Sequence, residues 1–256
     1  MLKKRIIFVL FYQDGNFCLS RNFSLQKVGN VEWLLEKFQF LSIGDFIDEL
    51  IILDVSRDRG LTSSFLQLEK DVTVLMAKIF VPLTLGGGIR TIEDVSRYFQ
   101  LGADKVSLNW AVGNSPQLIS EISRVYGSQA VVASLDVRQT SEGFSVFLDN
   151  GENAFGSLLE VSRRAEDLGA GELLITSIDR DGTGFGLDIG MLCELQDIGI
   201  PIIGAGGAGK PAHFLEALVL DNISGIATGN LFNFMGKGFY ELRNELCQKL
   251  PYLRRI

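Results

Sequence analysis

Short apolar runs recur along the whole chain, and each is followed by turn residues and then by a segment with helical spacing. In those segments the apolar residues lie three and four positions apart, as they do on the buried face of a helix. Strict alternation of this kind predicts parallel strands joined by helical crossovers. The eight runs predicted to be strands are Arg5–Phe11, Glu49–Asp54, Phe80–Leu85, Lys105–Leu108, Gln129–Asp136, Glu172–Ser177, Ile200–Gly204 and Gly225–Thr228.

Eight such units are the number that closes a parallel sheet into a (β/α)₈ barrel, also called a TIM barrel. The alternative is an open doubly wound sheet, which usually stops at about five or six strands. No linker rich in proline or serine marks a domain boundary. We therefore predict an α/β protein with one domain, a (β/α)₈ barrel over residues 1–256.

The second half of the chain repeats the first. DELIILDVSRDRGLT, starting at Asp48, aligns with GELLITSIDRDGT, starting at Gly171. VPLTLGGGIR, starting at Val81, aligns with IPIIGAGGAGK, starting at Ile200. Such a half-barrel repeat predicts two similar sets of loops at the carboxyl ends of the strands, where barrel enzymes place their chemistry.

The charge balance and the cysteines argue against several classes of protein. Lys and Arg number 24 against 31 Asp and Glu, which does not suit binding to nucleic acid or to an anionic membrane. Three scattered cysteines do not suit a disulfide framework or a zinc cluster. The apolar run at the start lacks a cleavage signal and is interpreted as a strand. We predict a cytoplasmic protein without a metal or a cofactor.

Glycines follow a buried strand in both halves, at Gly86–Gly88 and at Gly206–Gly207, and a helix follows directly. Glycine lets backbone N–H groups approach an anion, and a helix amino terminus adds a partial positive charge. Tight strand-to-helix turns are the alternative use of such glycines. Their recurrence in register favours two phosphate sites, suited to a small molecule with a phosphate at each end. The predicted phosphate-binding residues are Gly87, Gly88, Asn109, Asp181, Gly182, Gly207, Gly229 and Asn230.

Segments from one end of the chain to the other resemble HisF, the cyclase subunit of imidazole glycerol phosphate synthase. The resemblance implies a barrel that receives ammonia from a separate glutaminase subunit. It also implies that a bisphosphorylated intermediate is cleaved and cyclised by two aspartates, one ending the first strand and one ending the fifth. The segments are KRIIFVL, LTLGGGIRTIEDV, LGADKVSLN, YGSQAVVASLDV, LGAGELLITSIDRDGT, IPIIGAGGAGKPAHFLEA and GNLFNF.

The chain departs from that pattern at the end of the first strand. The aspartate of the fifth strand is kept as Asp136, but Phe11 stands at the position of its partner. Phenylalanine transfers no proton, and loss of one member of an acid–base pair typically lowers the rate by about 10²- to 10⁴-fold. Leu19 and Trp110 also replace a lysine and a small hydroxyl residue of the family pattern. Asp136 is the one catalytic candidate.

Four charged residues, Arg5, Glu49, Lys105 and Glu172, each begin a predicted strand and so belong at the amino-terminal end of the barrel. From physics alone they are a salt-bridge plug, because buried charges need partners. The resemblance implies a second role, a gate through which ammonia enters from the glutaminase. Asp104 matches a position that contacts the glutaminase in that family.

Two functions remain open. The chain resembles the branch of HisF-like proteins that lack the first-strand aspartate and are associated with surface-polysaccharide (O-antigen) biosynthesis. That resemblance implies the first function, a HisF-like subunit that docks a glutaminase and passes ammonia through the barrel, for amidination of an N-acetylated sugar by a sugar amidotransferase. The other is a working cyclase of histidine biosynthesis. Loss of an aspartate at the strand ends, together with a complete set of gate residues, favours the first.

Overall fold

The computed structural model describes residues 3–38, 40–56, 62–229 and 237–254. Eight parallel strands close into a barrel, in the spatial order β1, β4, β5, β6, β7, β10, β11, β12 and back to β1. The strands of the described residues are β1 (Arg5–Gln13), β2 (Asn16–Arg21), β3 (Ser24–Gly29), β4 (Glu49–Asp54), β5 (Leu83–Gly86), β6 (Lys105–Leu108), β7 (Val131–Thr140), β8 (Gly143–Leu148), β9 (Asn153–Ser157), β10 (Glu172–Ser177), β11 (Ile202–Ala205) and β12 (Ile223–Thr228).

Helices pack outside the barrel and begin at recognisable caps. The Thr91 hydroxyl accepts from the Asp94 N–H while the Asp94 carboxylate accepts from the Thr91 N–H, and Asn30, Ser157 and Asp188 cap three other helices. The helices are α1 (Val31–Glu36), α2 (Leu41–Gly44), α3 (Thr62–Met76), α4 (Ile92–Gln100), α5 (Trp110–Asn114), α6 (Gln117–Tyr126), α7 (Leu158–Asp167), α8 (Ile189–Cys193), α9 (Pro211–Leu218) and α10 (Gly238–Lys249).

The predicted (β/α)₈ barrel is confirmed, and each of the eight predicted runs overlaps a barrel strand, with ends that differ by a few residues. The repeat is visible in the architecture as well. In each half the first barrel strand continues into an antiparallel excursion, β2 and β3 after β1, and β8 and β9 after β7. These two hairpins were not predicted from the sequence. Both lie at the end of the barrel where the strands end, called the rim below, and the opposite end is called the floor.

The barrel interior changes from charged at the floor to apolar in the middle. Side chains of a strand alternate between its two faces, so β1 directs Arg5, Ile7, Val9 and Phe11 inward. Phe11 and Leu53 pack against a fully apolar layer in the middle of the barrel, called the apolar interior layer below. This layer consists of Ile7, Val9, Ile51, Val132, Leu174, Ile203, Ala205 and Ala227.

None of the described helices combines the length and the apolar character needed to cross a bilayer.

Candidate functional site

Two cavities lie side by side at the rim, one in each half of the repeat. The first-half cavity has a volume of about 620 Å³ and is lined by Gly87, Gly88 and Asn109. The second-half cavity has a volume of about 580 Å³ and is lined by Gly182, Gly207 and Gly229. The lining that the two cavities share is Phe11, Ser20, Asn22, Phe23, Ser24, Leu25, Leu53, Ser134 and Asp136.

Asp136 stands where the two cavities meet. Burial raises the pKa of its carboxyl group to about 7, a hydrogen bond from Asn109 opposes the shift, and the charge of Asp181 adds to it. The Asn109 Nδ2 atom donates to Asp136 Oδ2 at 3.0 Å and to the Ser134 carbonyl at 3.0 Å. A carboxyl group with a pKa near neutrality can give or take a proton at neutral pH. Asp136 is thus suited to acid–base work.

Phe11 occupies the other side of that boundary. Its ring lines both cavities and packs against the apolar interior layer, so it is fixed at the rim by the barrel itself. Two further carboxylates of the cavities already hold other groups. Asp54 Oδ1 accepts from the Ser56 N–H at 3.0 Å and from its hydroxyl at 2.6 Å, and Asp181 holds the first hairpin.

The tip of the β2–β3 hairpin crosses the rim and is held on the opposite side. Asp181 Oδ2 accepts from the Ser20 hydroxyl at 2.5 Å and from the Phe23 N–H at 3.1 Å. The backbone N–H of Asn22 donates to the Asp181 carbonyl at 3.0 Å. Burial raises the pKa of the Asp181 carboxyl group, and the hydrogen bonds from Ser20 and Phe23 oppose the rise. Asp181 was predicted to hold phosphate, and in this structure its carboxylate holds the hairpin tip.

The predicted phosphate glycines form tight turns at equivalent places. Gly87 and Gly207 have φ of +110° and +96°, and a Cβ on either would lie within about 2 Å of a carbonyl oxygen, that of Asp54 or of Gly186. Only glycine fits such a backbone. This geometry serves a tight turn and a phosphate cradle equally well, so the phosphate role stays a prediction. Asn230 lies outside the described residues.

The first-half site differs from the second in its side chains. Trp110 lines the first-half cavity, and the Arg90 guanidinium carbon lies 5.0 Å from the centre of its ring, a cation–π contact. Leu19 lines the second-half cavity where the family pattern has a lysine. Arg21 lines the same cavity and is exposed.

The four predicted gate residues do meet at the floor, where they form a closed ring. Arg5 Nη1 contacts Glu49 Oε1 at 2.5 Å, and Arg5 Nη2 contacts Glu172 Oε1. Lys105 Nζ lies 3.2 Å from Glu49 Oε2 and 2.8 Å from Glu172 Oε2. Each cation therefore bridges both carboxylates, and the ring, called the floor ring below, carries no net charge.

The remaining predicted residue of the floor, Asp104, is exposed beside this ring. Its Oδ2 atom accepts from the Leu83 N–H at 2.8 Å, and its own N–H donates to the Leu83 carbonyl at 2.8 Å. Asp104 thus fixes the start of β5, whereas its predicted contact with a partner stays a prediction.

The sequence reasoning missed the hairpin tip, Ser20 to Leu25, as part of the site. Asn22 and Phe23 have positive φ values of 48° and 63°, which is typical of a tight two-residue hairpin turn. The signal available was Asn22 between two short runs of alternating residues. Among the described residues no group of three His, Cys, Asp or Glu could hold a metal ion.

Comparisons with known proteins agree with this geometry. The family model described as histidine biosynthesis protein matches residues 37–237. The chain is 43% identical over 257 residues to a Parasynechococcus marenigrum protein provisionally named imidazole glycerol phosphate synthase subunit hisF2, covering 97% of this chain and 92% of that protein. It is 38% identical over 252 residues to the subunit HisF of Pelodictyon phaeoclathratiforme and 36% identical over 252 residues to that of Saccharolobus solfataricus, covering 97% of this chain and 98% of each relative.

Proposed function

The chain belongs to the histidine biosynthesis protein family, and we propose that it is a HisF-like subunit that docks a glutaminase and passes ammonia through its barrel to the rim. One contrast carries the proposal: the floor ring is complete, whereas Phe11 faces Asp136 at the rim. The relatives named subunit HisF support the family context of the proposal.

The floor ring supplies the inlet. Arg5 is held by both carboxylates and also donates to the Ser224 hydroxyl at 2.7 Å. Lys105 is held by the carboxylates alone among the described residues and is the most exposed member, with 19% of its side chain accessible. A lysine ammonium on a flexible four-carbon stem moves more readily than a locked guanidinium. Lys105 is therefore the member that swings aside to admit ammonia.

The apolar interior layer supplies the selectivity of the conduit. Ile7 and Val9 of β1, with their neighbours on the other strands, surround the axis above the floor ring. Transfer of an unpaired ammonium ion into such surroundings is very costly, whereas neutral ammonia carries no such penalty. Nitrogen therefore passes as ammonia and emerges between Phe11 and Asp136.

The molecule that accepts the ammonia is bound by another protein. Asp136 is left at the rim without the first-strand aspartate that ring closure uses in the family pattern, because Phe11 stands there and the carboxylates of Asp54 and Asp181 hold other groups. The resemblance to HisF-like proteins of surface-polysaccharide synthesis supports a separate sugar amidotransferase that consumes the ammonia. Its substrate would be an N-acetylated sugar, whose acetamido group becomes an acetamidino group.

The second candidate function is the cyclase reaction of histidine biosynthesis. Two observations favour it: the names of the subunit HisF relatives, and the near-neutral pKa of Asp136, which suits proton transfer. In this case Asp136 would perform both proton transfers alone.

A cyclase assay separates the two candidates. The purified chain, with a HisH-like glutaminase and added ammonium salt, is given the bisphosphorylated intermediate, and imidazole glycerol phosphate is measured. We expect a rate lower than that of a HisF cyclase by about 10²-fold or more, because one of two proton-transfer groups is missing. A rate equal to that of the HisF control would reject the ammonia-conduit proposal in favour of the cyclase.

The variant Phe11→Asp tests whether the rim lacks only that carboxylate. We expect it to raise cyclase activity, by up to about 10²-fold if Leu19 and Trp110 are tolerated. Phe11→Asn is the matched control, because it also removes the ring and introduces a side chain of the same size as aspartate but without a titratable group. Equal rates for the two variants would show that proton transfer is not what the rim lacks.

A further inference from the structure

Phe80 is a large apolar side chain turned out to solvent at the floor. It lies just before β5, and 92% of it is accessible, more than for any other large apolar residue of the described chain. Val81 and Pro82 beside it are half-buried. An exposed aromatic ring of this kind adds nothing to the core and is free to enter a pocket of a partner protein.

The backbone that carries Phe80 is rigidly mounted. The Leu50 N–H donates to the Pro82 carbonyl at 2.9 Å, and Asp104 pairs twice with Leu83, through its N–H and through its carboxylate. These bonds tie the start of β5 to the strands on both sides, β4 and β6. The exposure of Phe80 is therefore a property of an ordered segment.

The internal repeat shows that the barrel does not need this ring. The equivalent bond of the second half joins the Leu173 N–H to the Pro201 carbonyl, also at 2.9 Å. The alignment of Val81 with Ile200 places Gly199 opposite Phe80. One half thus forms the same backbone connection with glycine at the position where the other half has an exposed phenylalanine.

We propose that Phe80 is the anchor with which this chain docks its glutaminase, an inference that rests on the proposed function. Glu49 begins β4 and Lys105 begins β6, so Phe80, just before β5, lies between two members of the floor ring. A partner that covers the ring to deliver ammonia therefore also covers Phe80.

The charges beside the anchor define the chemistry of the partner. Asp104 is exposed, and its second oxygen, Oδ1, has no hydrogen bond within the described residues. The glutaminase that fits presents an apolar pocket for the Phe80 ring and a basic side chain that reaches Asp104. Buried aromatic anchors of this kind carry a large share of the binding energy of an interface. Docking is thus off-centre, towards the first half.

The test compares Phe80→Ser with Phe185→Ser. Phe185 lies on the rim between β10 and α8 and is 77% exposed, so Phe185→Ser removes another largely exposed ring at the opposite end of the barrel. The dissociation constant of each variant is measured with the HisH-like glutaminase of the same organism. Sedimentation of the free chain and its melting temperature are recorded in parallel.

We expect Phe80→Ser to weaken the complex by about 10-fold or more, with an unchanged melting temperature, and Phe185→Ser to bind as the parent does. Wild-type affinity in Phe80→Ser would overturn the anchor while leaving the proposed function in place. The absence of any complex with the parent chain would overturn both. Self-association of the free chain that Phe80→Ser abolishes would assign the ring to a second copy of this chain and overturn the proposal as well.

Discussion

The floor and the rim of this barrel differ in how completely their charged groups are paired. At the floor, Arg5 and Lys105 each bridge Glu49 and Glu172, so every member of the ring has two partners. At the rim, Asp136 has a raised pKa and an amide donor, and Phe11 stands across from it. The packed apolar layer between the two ends lets each change without the other.

The largest expected effect comes from the floor ring. Arg5→Met leaves two buried carboxylates with one cation, and breaking a buried ion pair typically costs about 3–5 kcal/mol of the free energy of unfolding. Lys27→Met is the matched control, because the Lys27–Asp14 pair is about half exposed and such pairs contribute about 0–1 kcal/mol. Urea denaturation measures both. Equal losses in the two variants would show that the floor ring does not stabilise the fold.

The stability of the fold is expected to depend on pH through a carboxyl group at the rim. The pKa of Asp136 is raised from 3.8 to about 7 by burial, so between these values the folded state binds more protons than the unfolded state. Stability therefore falls as the pH rises through this window, by up to about 4 kcal/mol in total. Asp136→Asn should remove this fall.

Asp197→Asn is the control for that measurement, because it removes an exposed carboxylate elsewhere on the surface. Denaturation curves from pH 4 to pH 8 are compared among the parent and the two variants. A parent whose stability rises steadily over this range, with Asp136→Asn following it, would contradict the burial of this carboxyl group.

A glycine turn at the rim should tolerate substitution by alanine less well than a glycine turn of similar backbone conformation elsewhere. Gly207 and Gly102 have nearly equal φ values, +96° and +97°, but a Cβ would lie 2.1 Å from the Gly186 carbonyl oxygen at Gly207 and within 4 Å of nothing at Gly102. Both alanine variants incur backbone strain of about 1–3 kcal/mol, and Gly207→Ala adds overpacking of about 1–3 kcal/mol. Gly207→Ala should therefore melt at a lower temperature than Gly102→Ala in thermal unfolding. Equal melting temperatures would refute the close approach of a Cβ at position 207 to the Gly186 carbonyl oxygen.

The barrel strands and the floor ring could be predicted because their signals are local. Glu49 and Glu172 begin apolar runs, and parallel strands bring such positions to one end of a barrel. The role of Asp181 could not be predicted, because its bond with Ser20 joins residues 161 positions apart. The hairpins were missed because Asn16–Arg21 and Gly143–Leu148 are too short and too mixed to stand out from loops. β7 runs on to Thr140, past the predicted end at Asp136, because it continues into its hairpin.

The smallest expected effect concerns the two hairpins at the rim. Ser20→Ala removes the hydroxyl that donates to Asp181 across the rim, and a hydrogen bond to a charged group contributes about 1.5–3 kcal/mol. The loss acts on local opening of the hairpin tip, so the Phe23 amide, which donates to the same carboxylate, should exchange with solvent deuterium about 10-fold faster or more.

Thr140→Val is the control in the other half, since among the described residues the Thr140 hydroxyl bonds within its own hairpin, with the Gly143 carbonyl, the Glu142 N–H and the Ser145 hydroxyl. Exchange at Phe23 should stay at the parent rate in that variant, as should exchange in the barrel strands of both. If Ser20→Ala leaves the Phe23 rate unchanged, the tip is held by Asn22 and the backbone alone. The Asp181 carboxylate would then hold the tip through the Phe23 N–H without help from the Ser20 hydroxyl, and the contrast between the two hairpins would rest on the backbone alone.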